Sequence, residues 1–238
     1  GSFYLGSPNS ETGRYGDEGP QTQVVIPRNL FVKTTEVNCN EYRALMGNIP
    51  ERADPSCQTE AVVGVNFNQA IAYANALSQR EGLSPCYIGV PSSWTFQDLD
   101  CQGYRLPTEA EWEYLAKAGT TTPIPYIPGG SQVFNSISWN GRNAGESIHP
   151  VGTKQPNNWG LYDMIGNGHE WTCSDYGSYS GTHPLPAEIC SVTGTDKSTR
   201  GGSFNMTEAD SRSATRGYRS PFIIGGWASA IRLVRTAP

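Results

Sequence analysis

Hydrophobic and polar positions change period several times along this chain, and each change predicts an element. Residues 23–26 and 30–33 run apolar over a few positions and read as short strands, parted by Pro27. Asn38 can cap a short helix through Met46, which Gly47 ends. Asn66 can cap a second, in which Ala70, Ile71, Ala74 and Leu77 recur at helical spacing and Gly82 is a natural stop. The third helix is the clearest. Thr108 stands at its N-cap and Glu111 three positions on, the spacing of a capping box. Pro107 keeps the chain extended before the cap, Trp112, Leu115 and Ala116 form the apolar stripe, and Gly119 closes the helix. Residues 120–158 are rich in Gly, Pro and Asn with few periodic signals. Short strands are expected again at 168–173, 199–204, 211–216 and 230–235. No repeat or linker interrupts the pattern. Residues 1–238 are therefore read as one domain, an irregular α+β fold of short strands, about three helices and long loops.

Composition sharpens this picture. Only 16% of residues are charged and 37% are hydrophobic, with 27 Gly and 17 Pro, which suits a turn-rich domain. The formal net charge is −5 and no Lys/Arg cluster occurs, so a nucleic-acid partner is not expected. No apolar run is long enough for membrane insertion, and no signal peptide is present. The chain opens on domain-like sequence, so any export signal is expected to be cleaved or to lie outside this sequence. Six cysteines fall in three neighbouring pairs, Cys39/Cys57, Cys86/Cys101 and Cys173/Cys190, each bracketing a loop. Nearest-neighbour pairing is one of fifteen connectivities, and free thiols in a cytosolic protein are the alternative. Disulfides imply the periplasm, cell surface or exterior. No C-x-x-C occurs, so structural zinc is not expected. Asp98 and Asp100 read as a solvated loop, and Glu109, Glu111 and Glu113 as the polar face and cap of a helix start. No nucleophile elbow, P-loop or dinucleotide fingerprint is present.

Six blocks, in order, carry a resemblance. They are G-S-F-Y-L-G-S-P at 1–8 with D-E-G-P at 17–20, T-T-E-V-N at 34–38, and R-L-P-T-E-A-E-W-E-Y at 105–114. N-N-W-G-L-Y-D-M-I-G-N-G-H-E-W at 157–171, R-G-G-S-F at 200–204 and I-R-L-V-R at 231–235 complete the set. Together they resemble the formylglycine-generating enzyme family, also called the sulfatase-modifying factor family, over essentially the whole chain. The resemblance implies a variant of the C-type lectin fold.

It also implies a structural calcium at the G-N-G-H-E-W loop. Glu170 would supply a carboxylate, and Ile165, Gly166 and Gly168 backbone carbonyls, a donor set suited to a hard cation. In the alternative, Glu170 is a buried acceptor for neighbouring amides and Asn167 a turn residue. A second calcium site is implied near Asn135 and Ser136, although no downstream carboxylate is evident. Family enzymes oxidise a cysteine of a sulfatase peptide with copper held by two cysteines after R-G-G-S-[WF], a soft pair suited to Cu(I). Here Met206 stands near the first position, and Asp210 and Ser211 roughly cover the second. Both thiolates are missing, so formylglycine synthesis is not expected. A related branch holds iron with histidines. His149, His169 and His183 form no such pattern, and they read as a loop hydrogen bond, a solvent-facing residue and part of the Cys173–Cys190 insertion.

What remains is a recognition surface over residues 205–230. Met206, Arg216, Tyr218, Arg219, Phe222 and Trp227 are the candidate ligand-binding residues, aromatic and arginine side chains among glycines. In the alternative, Phe222, Ile224 and Trp227 fill the core beneath. The reading is a non-catalytic, extracytoplasmic binding domain for a protein or glycan, with structural calcium. A divergent oxidoreductase acting on a cysteine peptide or small metabolite is one alternative. A hypervariable ligand-binding protein or self-assembling cell-surface subunit is the other.

Overall fold

The computed structural model describes residues 1–91, 93–123, 130–181, 183–193, 196–222 and 228–238, with backbone alone for 130–132 and 186. Strands β1 (Ser2–Leu5) and β2 (Thr22–Val25) pair antiparallel. β3 (Leu30–Val32) pairs with β10 (Val234–Thr236), joining early and late chain. Between them come α1 (Cys39–Met46), α2 (Phe67–Arg80), a small hairpin of β4 (Tyr87–Ile88) and β5 (Thr95–Phe96), α3 (Glu109–Lys117) and α4 (Gly130–Ile137). The largest sheet has the order β8 (Arg216–Arg219), β7 (Lys197–Arg200), β6 (His169–Asp175), β9 (Ser229–Ala230). Its first three strands are antiparallel, and β9 runs parallel to β6.

The first three helices begin where the sequence predicts, and for the predicted reason. Asn38 with Glu41, Asn66 with Gln69 and Thr108 with Glu111 each form a reciprocal capping box, satisfying amides that the helix leaves open. α4 is one helix more than expected. Among its described side chains, Phe134 and Ile137 are buried and anchor it. The strand expected at 199–204 stops at Arg200, because Gly201 and Gly202 take φ of 92° and 71° and turn the chain. The strand expected at 211–216 gives way to a short 3-10 turn, Ala209–Ser211, and β8 starts only at Arg216. The run at 230–235 splits into β9 and β10, with Ile231, Arg232 and Leu233 buried between them.

Packing centres on α3. Ala110 joins Leu5 and Val24 on one side. Trp112 and Leu115 join Leu161, Met164 and Val234 on the other. The largest apolar cluster lies beneath α1 and α2, where Trp171, Ile231 and Leu233 meet Phe67, Ile71 and Tyr73.

All six cysteines pair with their nearest neighbours: Cys39–Cys57, Cys86–Cys101 and Cys173–Cys190, separated by 18, 15 and 17 residues. Replacing Cys39 and Cys57 together with alanine is expected to cost about 3 kcal/mol, the unfolded-state entropy that a loop of this length releases. Urea unfolding of the double variant against the native protein checks this.

Candidate functional site

The glutamates of α3 are not a solvated face. Glu109, Glu111 and Glu113 are all buried, and each meets an arginine. Glu111 caps the helix and also receives Arg105 through two bonds of 2.6 and 2.8 Å. Glu109 and Glu113, one turn apart, face the sheet. Arg216 of β8 donates to both oxygens of Glu109 at 2.7 and 2.8 Å, and Arg200 of β7 donates to Glu113. Burial alone would raise the Glu109 carboxyl, but the charge and hydrogen bonds of Arg216, with Arg200 near, hold it below its ordinary value.

These pairs fix β8, the edge strand, and a cavity of about 500 Å³ opens around it. Side chains alternate across a strand. Arg216 and Tyr218 lie on one face, where the Arg216 guanidinium sits 4.6 Å from the Tyr176 ring centre and Tyr218 stacks on Tyr176 at 4.7 Å. Gly217 and Arg219 alternate to the other face, and His169 of β6 lies near enough for the Arg219 charge to act on it. Arg212, behind the lining, positions another part of the wall. It binds Glu11 and Glu18 and donates to Gly13 O at 2.7 Å, pinning the 11–18 loop. That loop brings Tyr15, whose hydroxyl donates to Asp210 at 2.5 Å, and Asp17, which accepts from the Tyr176 hydroxyl at 2.7 Å.

His169 is buried at 8% exposure, not solvent-facing as expected. β6 lies inside the sheet between β7 and β9 and is buried on both faces, so His169 is covered. Burial, then the nearby Arg219, push its imidazole down to about 4, so it is neutral at physiological pH. Its Nδ1 has no hydrogen-bond partner.

Of the candidate ligand residues, Met206, Arg216, Tyr218 and Arg219 line this cavity. Arg216 does so as a structural residue, committed to Glu109. Phe222 is 60% exposed but borders a different depression, with Phe67 and Trp94. Trp227 lies outside the described residues. Tyr15, Asp17, His169, Tyr176 and Asp210 also line the cleft and were not among the sequence candidates. The Tyr-x-Asp of 15–17 and the Asp-Tyr of 175–176 are the only local signal.

At the positions where calcium is expected, the side chains make the following contacts. Arg232 donates to both oxygens of Glu170 at 2.7–3.0 Å, and Trp112 Nε1 adds a bond of 2.6 Å. That carboxylate faces a guanidinium and an indole, with the buried Glu36 and Asp163 close enough to feel its charge, and Asp163 Oδ1 has no hydrogen-bond partner. Gly166 and Gly168 answer to packing: a Cβ would fall 2.1 Å from Trp139 O at the first and 2.7 Å from Ala230 Cβ at the second. Ile165 is buried beside them. Asn167 is the expected turn residue, at φ 54°. Its side chain and the Gly168 amide bind Glu36 at 2.6 and 2.9 Å. At the other position, Lys154 Nζ donates to Asn135 O at 2.7 Å while lying 3.8 Å from the Trp139 ring centre. Among the described residues no three His, Cys, Asp or Glu converge as a metal site.

The ion pairs set a pH dependence. Glu109 has a folded pKa below its unfolded value, so its contribution is full above about pH 4.5 and is lost as pH falls through the lower folded value. Arg216→Gln is expected to flatten the fall in stability below about pH 4.5, read from urea unfolding between about pH 3 and 6.

The sulfatase-modifying factor enzyme 1-like domain matches residues 1–237, and the chain belongs to that family. The formylglycine-generating enzyme of Mycobacterium tuberculosis is 40% identical over 100 residues, covering 37% of this chain and 33% of that protein. The chaperone protein LppX of Paenibacillus barcinonensis is 29% identical over 184 residues, 64% of each. The chain thus spans less than two thirds of these curated relatives. The solved structure of Treponema denticola variable protein 1 superposes with a TM-score of 0.83 at 27% identity, covering 99% of this chain and 92% of that one. The fold is therefore of the formylglycine-generating-enzyme type, a C-type-lectin-like fold.

Proposed function

We propose that this chain is a non-catalytic binding domain on the formylglycine-generating-enzyme scaffold, with its ligand held in the cleft around β8. The fate of the cysteines carries the reading. All six are in disulfides, so no thiolate remains for a two-sulfur copper site. Met206, near the first family thiolate's position, is instead a half-buried wall of the cleft. Tyrosine and arginine, abundant in that lining, concentrate binding energy where they pack in pockets. A relative named a chaperone protein and another named a variable protein support a binding role for the scaffold.

Three disulfides favour an oxidising compartment, so an extracytoplasmic setting goes with the proposal. A protein or glycan is the ligand class it fits. We also infer that Arg232 and Lys154 supply the positive charge that the resemblance assigns to calcium. The test of the main reading incubates the protein with Cu(I) and a sulfatase-type cysteine peptide, followed by mass spectrometry. An unchanged peptide is expected, together with capture of a protein or glycan that Tyr218→Ala weakens. Oxidation of the peptide would sink the reading.

A further inference from the structure

The charges around the cleft are not all of one kind. Asp17 and Asp210 are each held by a tyrosine hydroxyl. Arg200 and Arg216 are each matched by a glutamate of α3. Arg219 is different. No salt bridge involves it among the described residues, and burial alone, with no acid to offset it, weakens its hold on its proton. The residues outside the described set include no Asp or Glu that could serve instead. Its Nε is buried without a hydrogen-bond partner, and so is Nδ1 of His169 on the same side of the sheet. A guanidinium partly stripped of water and left without an anion is an uncommon arrangement, because arginine is suited to receiving a carboxylate through two parallel bonds.

The rest of the lining limits what the anion belongs to. The cavity wraps the edge of β8, so Tyr218, 59% exposed, and Tyr15, 46% exposed, border the same space as Arg219 although Tyr218 and Arg219 leave the strand on opposite faces. His169, neutral, adds no second positive charge and can exchange a hydrogen bond with a polar group beside the acid. A single cation with aromatic walls suits a singly charged carboxylate on an apolar or aromatic body. A phosphate would call for concentrated positive charge, which the cleft lacks.

We propose that the cleft binds a carboxylate-bearing ligand and that Arg219 pairs with the carboxylate. This rests on the binding reading above and names its chemistry. The carboxylate has two possible sources, a free small acid or an acidic side chain of a protein.

The test follows the Arg219 Nε–H resonance by NMR in the intact chain. Two probe pairs are titrated: 4-hydroxyphenylacetate against neutral 4-hydroxyphenylethanol, and acetyl-Gly-Glu-Gly-amide against its Gln analogue. The acids are expected to move the resonance saturably, and the neutral partners to bind at least about tenfold more weakly. Arg219→Gln should weaken the acid at least about tenfold as read from the Tyr218 resonances, and Arg219→Lys should restore part of it. Arg28→Gln, whose partner is Asp100, should change nothing. Saturation by the peptide alone assigns a protein-borne carboxylate, and saturation by the small acid as well admits a free one. Equal response to acid and neutral probes overturns the carboxylate inference while leaving the cleft a binding site. No saturable response from either acid also overturns it, and the separate protein and glycan capture then decides whether the binding reading stands.

Discussion

Replacing Glu170 with alanine is expected to lower the free energy of unfolding by about 3–5 kcal/mol, while EDTA leaves the melting temperature of the native protein unchanged. Glu170 and Arg232 are both fully buried. Without the carboxylate, Arg232 keeps its bonds to Lys33 O and Tyr162 O but loses its hydrogen-bonded anion, leaving only the charges of Glu36 and Asp163 nearby, and Trp112 Nε1 loses its acceptor. A stranded buried charge costs more than the pair itself contributes. For a chain of this length the loss is a drop of roughly 10 °C in Tm. The companion variant, Glu170→Leu with Arg232→Met, removes both charges and is expected to recover most of the loss. The chelator arm separates a charge pair from a metal site. A melting temperature that falls with EDTA and returns with calcium would sink the assignment of this charge to Arg232.

Much of the scaffold is legible in the sequence, because short-range chemistry fixes it. The caps at Asn38, Asn66 and Thr108 need only a side chain and an amide three residues on. The cysteine loops close over fewer than twenty residues. The interior charges are not legible locally. Glu109 reads as a surface acid because its partner, Arg216, is 107 residues away. The arginines of R-L-P, R-G-G, R-G-Y and I-R-L sit within apolar or glycine-rich blocks, where an unpaired charge would not be tolerated, and each is buried. That placement, set beside the Glu-x-Glu-x-Glu of α3, is the signal that could have paired them.

The same long-range pairing hides half the cleft. Met206, Tyr218 and Arg219 belong to the expected segment. Tyr15 and Asp17 arrive from the other end of the chain, held by Arg212 through Glu11 and Glu18. At Glu170 an acid in a glycine-rich loop reads locally as a cation ligand, and its arginine partner, 62 residues on, is not visible from the loop. Binding residues and scaffold residues are interleaved along β8. Arg216 and Arg219 are chemically alike in the sequence, yet one is neutralised by Glu109 and the other has no acid.

Arg200→Met is the second large effect, with an expected loss of about 3–5 kcal/mol. Arg200 is almost completely buried and anchors both sides of the domain. It binds Glu113 of α3 and donates to the carbonyls of Ser213, Ala214 and Thr215, at 3.0, 2.9 and 2.6 Å. Methionine fills much of the space but leaves Glu113 with only the Gly6 amide and Lys117 as partners, and leaves three carbonyls without a donor. Those carbonyls lead directly into β8, so the cleft is expected to loosen with the core. Lysine keeps the charge without the planar fork that reaches glutamate and carbonyls together, so Arg200→Lys should fall between methionine and native. Adding Glu113→Gln to Arg200→Met is expected to cost less than the sum of the two single changes, because the Arg200–Glu113 contact can be lost only once, while Lys117 pairs with Glu113 in the single Arg200 variant. Urea unfolding of the four proteins gives the coupling energy. Strict additivity of the Glu113→Gln and Arg200→Met effects would show that the pair does not act as one unit. A coupling above about 1 kcal/mol, with the Tyr218 resonances broadened only in the Arg200 variants, ties the stability of the core to the shape of the cleft.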